Sequence, residues 1–242
     1  MELLPNILVA TPMYDSRCFS EYMMSILHLQ KKCQELNWGL NIGINAFNSI
    51  LPDSRNVLVN AFLSNNFTHL LFIDSDVGFF YQDVIDMVLM DKPFIGGLYQ
   101  KKNINWEKVE SAVNKGVKSS YLKFFASEYN FKVKENTNSS LSGEKTLKEV
   151  EAIGTGFMLL KREVFEKLSP LTVSYKTKDP AIFFGTPSSE ETKNFFSFDI
   201  DKDTKTYISE DFNFCKKWRS LGEKIYVAEW AYARHYGNHE FG

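Results

Sequence analysis

An α/β fold built on a mostly parallel central sheet is what this sequence predicts, and three observations predict it. Short apolar runs alternate with stretches of helical period through the first hundred residues: ILVAT at 7–11, GLNIGIN at 39–45, HLLFI at 69–73 and PFIGGLY at 93–99 are the strand candidates. The spacers between them are long enough for crossover helices, which parallel strands require and hairpin strands do not. Across 242 residues, a 44% hydrophobic and 24% charged content supplies a core and excludes a disordered or fibrous chain. In an open sheet of this kind, ligands collect outside the carboxyl ends of the strands.

Each element has its own local reason. The first run is closed by Pro12. Ser20 is expected to cap a helix with Glu21 in its first turn, and Tyr22, Ile26, Leu29, Cys33 and Leu36 then recur at alternating spacings of four and three, a single apolar stripe. Gly39 is expected to stop that helix. After the second strand and a Pro52–Asp53 turn, residues 54–66 read as a helix with Val57, Leu58, Ala61 and Phe62 inward. HLLFI follows, closing on an acid, and a helix from Gln82 to Met90 presents Val84, Ile85, Val88 and Leu89. Beyond the fourth strand the pattern loosens: residues 101–134 hold eight Lys against three Glu with no clear period, and ENTNSSLSGEK at 135–145 reads as a loop. From Val150 the chain resumes with two short strands around Gly154-Thr155-Gly156, then a helix with Val164, Phe165 and Leu168 inward. Residues 171–205 form a second loop-rich stretch. Ser209 is expected to cap EDFNFCKKWRSLG, a helix lined by Phe212, Cys215 and Trp218 and ended by Gly222, and KIYVAEW is the last strand. One domain over 1–242 results, with a first half to residue 100 and a second half, 101–242, that carries the loops 101–149 and 171–205.

Charge and cysteine content narrow the partners. Twenty-eight Lys and Arg against thirty Asp and Glu give a net charge of −2, which removes any global electrostatic case for nucleic acid or an anionic membrane. The local excess of Lys at 101–134 leaves open a polyanionic partner such as modified DNA or an acidic glycan, with nucleic acid not favoured, although a solvated face is the commoner meaning of such a run. Cys18, Cys33 and Cys215 are odd in number and lack CxxC spacing, so neither a disulfide framework nor a thiolate metal site is expected, and a reducing, cytoplasmic compartment is. The opening MELLPNILVA has Glu2 in place of a basic start, and the apolar runs fall far short of the roughly 18 residues that cross a bilayer, so neither a signal sequence nor a membrane span is expected. Aromatic residues at 15% point to a core plus a sugar- or base-stacking surface.

The chemistry concentrates in Asp74-Ser75-Asp76. Two carboxylates one residue apart, at the carboxyl end of a buried run, share a face if the chain stays extended, and can hold a hard divalent cation beside a polar ligand. Either acid alone would more often cap a turn. Together, like charges side by side call for a cation to offset them.

The hhhhDxD strand end after two βα units, Gly96-Gly97 some twenty residues on, GTGFMLLKREVF, the Ser-Glu-Asp helix start at 209–211 and the late His235-Tyr236-Gly237 occur in that order, and together they resemble the nucleotide-sugar-dependent glycosyltransferases of GT-A fold. The resemblance covers most of the chain. It implies a Rossmann-type α/β/α sandwich and transfer of a hexosyl or deoxyhexosyl group from a nucleoside diphosphate sugar to a hydroxyl of a glycan or other acceptor. It places the donor's ribose on Asp74 and a divalent ion, Mn²⁺ or Mg²⁺, on Asp76, with Asp74 shared and His235 completing the shell, or His239 in its stead. A neutral imidazole with carboxylate and phosphate oxygens favours Mn²⁺. The resemblance makes Asp211, or its neighbour Glu210, the base that takes the acceptor's proton with inversion, although acids in a first helical turn also stabilise the dipole. It puts Thr11, Pro12 and Tyr14 at the nucleotide base, Arg55 at base or phosphate, Ser75 within the donor site, and Gly154, Thr155 and Gly156 along the sugars. Two rivals remain. A sugar-nucleotide or carbohydrate-binding module would bind without transfer, and a DxD phosphatase would need a nucleophile near the chain start and a late acidic run, which are not found.

Overall fold

The computed structural model describes residues 4–133, 145–177 and 191–237, with the backbone alone at 182–183 and 186–187. The polar tract at 135–145, apart from Lys145, and His239 lie outside the described residues. The order is β1 (Asn6–Met13), α1 (Ser20–Glu35), β2 (Gly39–Ala46), α2 (Leu51–Leu63), β3 (His69–Ile73), β4 (Val77–Gly78), α3 (Tyr81–Leu89), β5 (Phe94–Leu98), α4 (Trp106–Asn114), β6 (Phe131–Val133), β7 (Leu147–Ile153), β8 (Phe157–Lys161), α5 (Arg162–Leu168), α6 (Glu210–Ser220), β9 (Ile225–Tyr232) and β10 (Arg234–His235). Short antiparallel strand pairs occupy much of the stretch between α5 and α6, among them Ser174–Lys176 with Glu191–Lys193.

Eight strands form one sheet in the order β2-β1-β3-β8-β5-β9-β7-β6. Six point the same way, and β8 and β7 run against them. Alternate residues of the strands feed different cores. Ile7, Val9, Leu71 and Ile73 pack with Tyr22, Ile26 and Leu29 of α1 and Val84, Ile85 and Val88 of α3. Leu8, Ala10, Leu70 and Phe72 pack with Leu58 and Phe62 of α2, Phe165 of α5 and Phe214 and Trp218 of α6. The result is a three-layer sandwich, and strands covered on both faces read as unbroken apolar runs rather than alternating ones.

Several expected boundaries shift for local reasons. β1 runs through Pro12 to Met13: beyond Ala10 only β2 flanks it, so Pro12 sits where the ladder to β3 has ended and no partner is lost on that side. Phe19 takes the N-cap position of α1, while the Ser20 hydroxyl turns to Glu21 at 2.9 Å. Asn37, not Gly39, stops α1, with a φ of 56° and Trp38 N donating back to Cys33 O at 2.8 Å. Pro52 lies in the first turn of α2, which starts before it instead of after it. Leu89 of α3 is 66% exposed. The run 101–134 contains α4, a helix whose apolar positions Trp106, Val109 and Val113 recur at helical spacing but which buries only Ala112.

The largest correction concerns Gly154-Thr155-Gly156. β7 and β8 are not the two arms of a turn, because β5 and β9 lie between them in the sheet. The chain crosses β5 there. A Cβ on Gly96 would meet Ile153 Cδ1 at 2.4 Å and Phe157 O at 2.8 Å, and one on Gly97 would meet Phe157 Cδ1 at 2.3 Å, so these two glycines are the room through which the crossing passes.

His69, 9% exposed at the start of β3, has its imidazole pushed down to about 4 by burial, with Lys161 adding to the effect. The unfolded chain binds that proton from about pH 6.5 downward and the native one does not. Stability is therefore fully present above pH 6.5 and is lost as pH falls toward 4, by roughly 3 kcal/mol from this group. We expect urea midpoints of the native protein to fall between pH 6.5 and 5 more steeply than those of a His69→Gln variant. Parallel slopes would show that His69 is not the titrating group.

Candidate functional site

The carboxyl ends of β1, β3, β5 and β9 lie on one edge of the sheet, because these strands share a direction. β3 stops at Ile73 and the chain turns immediately. Val77 N donates to Asp74 O at 3.0 Å, so Asp74 and Asp76 stand in a turn and not, as alternation predicted, on one face of an extended strand. The turn is clasped from two sides. Phe19 N, ahead of α1, donates to Ser75 O at 2.9 Å; Tyr236 N donates to Asp76 O at 2.8 Å; and β10 pairs antiparallel with β4, which sets His235 opposite Val77.

The turn separates the two carboxylates electrostatically. Asp74 Oδ1 lies 3.7 Å from Arg55 Nη2. Desolvation holds its carboxyl above the usual range; Arg55 works against that, while Asp76 and Asp211 push the same way as burial. For Asp76 the balance is reversed. Burial would raise it, but its contacts with His235 and Lys102 prevail and hold it below the ordinary carboxylate range. Lys102 Nζ donates to Asp76 Oδ2.

His235 carries information about what Asp76 faces. Its Nδ1 lies 2.8 Å from Gln100 O, and since a carbonyl can only accept, Nδ1 must be the protonated nitrogen. In the neutral ring Nε2 is then a bare acceptor, pointing at Asp76 Oδ1 from 3.3 Å. That oxygen is buried and makes no hydrogen bond. Two lone pairs facing one another at this distance need a positive charge between them, either a second ring proton or a cation. Asp76 and His235 thus fit a divalent ion as two of its ligands. Asp74 is drawn toward Arg55 instead, and among the described residues no group of three or more His, Cys, Asp or Glu forms a ready-made shell. Exogenous oxygens, such as those of a diphosphate, would have to supply the remainder.

The helix start at 209–211 divides its two acids. Arg55, 3% exposed, donates through Nη1 to Glu210, which is itself 6% exposed. The Glu210 carboxylate is therefore committed to the protein. Asp211 accepts from the Ser209 hydroxyl and from Phe212 N at 2.8 Å, and its charge is felt at Asp74 and at Tyr99. Arg55 was expected to meet a ligand; its guanidinium points inward, and its charge reaches the edge of the sheet by way of Asp74.

The other expected donor residues are distributed unevenly. Thr11 is fully buried and its hydroxyl is 2.7 Å from Tyr22 OH, so it supports the β1 end from beneath. Pro12 is half-buried beside it, and Tyr14 is 65% exposed at the rim. Gly156 touches the centre directly: a Cβ there would lie 2.9 Å from Asp74 Oδ2. Its N–H donates to Tyr99 OH at 3.1 Å, and Asn130 Nδ2 donates to the same oxygen at 2.6 Å. Buried Thr155 lies between the two glycines. Sequence reasoning missed Lys102, Tyr99 and Asn130. Tyr99 directly follows the strand carrying the Gly pair and could have been suspected, whereas nothing local marks Lys102 or Asn130.

No protein-family model matches this chain, and no curated protein is similar to it. Solved structures are similar. A197 from STIV superposes with a TM-score of 0.53 at 16% identity, over 96% of this chain and 86% of that one. GalNAc-T7, solved with UDP, GalNAc and Mn²⁺, superposes with a TM-score of 0.50 at 11% identity, over 99% of this chain but only 45% of its own. At such identities the likeness establishes the fold, a GT-A-like mixed α/β sandwich.

The Arg55–Glu210 pair is buried on both sides, and removing one partner of such a pair leaves a desolvated charge, a loss of about 3–5 kcal/mol. Arg55→Met should lower the unfolding free energy by that order, read from urea denaturation. The double variant Arg55→Met/Glu210→Leu should recover a large part of the loss. An unchanged midpoint in the single variant would show that the pair does not join α2 to α6.

Proposed function

We propose that this chain is a metal-dependent glycosyltransferase that moves a hexosyl or deoxyhexosyl group from a nucleoside diphosphate sugar to a hydroxyl, with inversion at the anomeric carbon. The observation that carries the reading is the buried Asp76 Oδ1 facing His235 Nε2 at 3.3 Å, a pair that needs a positive charge between its atoms, on the strand-end edge where an open α/β sheet takes its ligands. Local charge supports it. Among the described residues, the acids at 74, 76 and 210 pair with two permanent cations, Arg55 and Lys102, and Asp211 adds a further carboxylate. A diphosphate would be repelled from such an edge unless a cation accompanied it.

Asp76 and His235 would hold that cation, Mn²⁺ in preference to Mg²⁺ because one ligand is an imidazole. When bound, it would supply neutralisation of the charge that collects on the departing diphosphate. The remaining steps fall to this chain's own residues. Asp74, stationed by Arg55 and pressed by Gly156, would take the ribose hydroxyls. Lys102, already beside Asp76, would add a second positive charge near the phosphates. Asp211, the acid of the pair not consumed by Arg55, would accept the acceptor hydroxyl's proton as the new glycosidic bond forms. Tyr14, exposed at the β1 end, would flank the nucleotide base, and the crossing at 154–156 would bring backbone close to the sugar.

A panel of nucleoside diphosphate sugars with Mn²⁺ should raise the melting temperature for at least one donor, by mass action on the folded state, and EDTA should abolish the rise. Asp76→Ala should keep its fold and lose both the rise and donor turnover. A full Mn²⁺-dependent rise in that variant would remove the metal role.

Asp211→Asn should retain the donor-induced rise and lose transfer by at least a hundredfold, measured as nucleoside diphosphate release that depends on acceptor. Transfer at the native rate would assign the base elsewhere. Donor binding without transfer or slow donor hydrolysis in the native protein would instead mark a binding module.

A further inference from the structure

Beside the Asp76–His235 pair the sheet edge opens into a cleft of about 760 Å³, walled on one side by His235 itself. Its lining joins segments far apart in sequence. Lys101 follows β5, Lys123 and Phe124 belong to the short helical turn at 119–124, Tyr129 precedes β6, and Tyr232 and Arg234 come from the end of β9 and from β10. The run of Lys that the sequence marks at 101–134 thus contributes part of one wall, and Arg234 faces it from another element.

Two properties of this cleft point to one kind of ligand. Among the described residues, no acidic side chain lines it. Lys101 shares Glu128 with Lys108, at 3.5 and 3.1 Å, but among the described residues Lys123 and Arg234 have no acidic partner. Their charges are available to an anion. The second property is the aromatic wall: Tyr232 is 54% and Phe124 49% exposed, and Tyr129 supports Tyr232 edge-on with ring centroids 6.3 Å apart. Exposed aromatic faces beside fixed cations suit pyranose rings bearing carboxylate, sulfate or phosphate, the rings lying on the aromatics and the anions reaching the cations. A nucleic acid strand would call for a basic track longer than the cleft. On the flank Lys101 and Lys108 are already engaged by Glu128, and the whole chain carries a net charge of −2.

We infer that this cleft binds an anionic oligosaccharide, and that it holds the acceptor. The binding site stands on the cleft's own chemistry; its acceptor role rests on the glycosyltransferase reading. A site at the His235 wall would bring the end of a bound chain next to the proposed diphosphate and leave its anions at Lys123 and Arg234.

Calorimetric titration of the full chain with tetragalacturonate, a heparin-derived tetrasaccharide, neutral maltotetraose and octathymidylate tests this. At least one acidic tetrasaccharide should bind ten times more tightly than maltotetraose and than octathymidylate. Arg234→Glu and Tyr232→Ala, both at exposed positions, should each weaken that binding at least tenfold, whereas a diffuse charge effect would leave the Tyr232→Ala affinity unmoved and overturn the inference. So would equal affinity for maltotetraose. Tighter binding of octathymidylate, weakened by the same variants, would make the cleft a nucleic-acid site and also overturn it. The Mn²⁺-dependent melting shift with the donor panel, measured in parallel, should be unchanged by Tyr232→Ala. Its absence from the native protein for every donor of the panel, with saccharide binding intact, would remove the transferase reading and leave the cleft standing.

Discussion

Arg55 is the interaction on which the rest of the site depends. A guanidinium that is 3% exposed cannot remain charged without partners, and its partners come from the two segments that bear the proposed chemistry, Glu210 at the start of α6 and Asp74 after β3. One buried side chain on α2 therefore fixes the distance between the helix that carries Asp211 and the turn that carries Asp74 and Asp76. It also settles which acid of the 210–211 pair remains available, since Glu210 is spent in holding the helix.

A second constraint is steric. Where the chain passes from β7 to β8, Gly96 leaves room for Ile153 and the Phe157 carbonyl, and Gly97, on the opposite face, leaves room for the Phe157 ring. The same crossing delivers Gly156 to Asp74 and Tyr99, and Tyr99 in turn ties the crossing to Asn130 through its hydroxyl. Burial pushes that phenol up, so it remains a neutral hydrogen-bonding group beside the acids. Backbone packing in the middle of the sheet and side-chain placement at its edge are thus one problem, solved by three glycines and a tyrosine.

The parts of this arrangement that were legible in the sequence are those governed by local periodicity. β1 to β3, α1 to α3 and α6 declare themselves because each buries a stripe or a full run, and the acid at the end of HLLFI follows from the strand. α4 was missed although Trp106, Val109 and Val113 recur at helical spacing, because that stripe spans only two turns inside a Lys-rich run. The crossing stayed hidden because two strands joined by Gly-Thr-Gly look alike whether they pair or pass apart; pairing is decided by β5 and β9, far away in the chain. Lys102 and the inward turn of Arg55 were unreadable for the same reason: a long cationic side chain does not record in sequence which carboxylate it will find. The alternation argument for Asp74 and Asp76 failed because it assumed the strand continues, whereas the Asp74 carbonyl closes a turn onto Val77.

The edge so built has an uneven electrostatic character, and that unevenness orders the proposed reaction. Toward β3 and α6 the carboxylates at 74, 76, 210 and 211 outnumber Arg55 and Lys102, so the proposed diphosphate would need a metal ion to reverse the local sign. Toward β5, β9 and β10 the described lining carries Lys123 and Arg234 without acids, and anions would be accommodated there without a metal ion. His235 stands on the border: one ring nitrogen is tied to Gln100 O behind the cleft, and the other faces Asp76. An anionic acceptor placed in the basic cleft would be kept from the acids that its own charge opposes, while its neutral hydroxyl, the only group that must approach Asp211, meets no such repulsion. Separating the two proposed reactants by the sign of the field would let a donor and an acceptor that are both anions occupy one small edge at the same time.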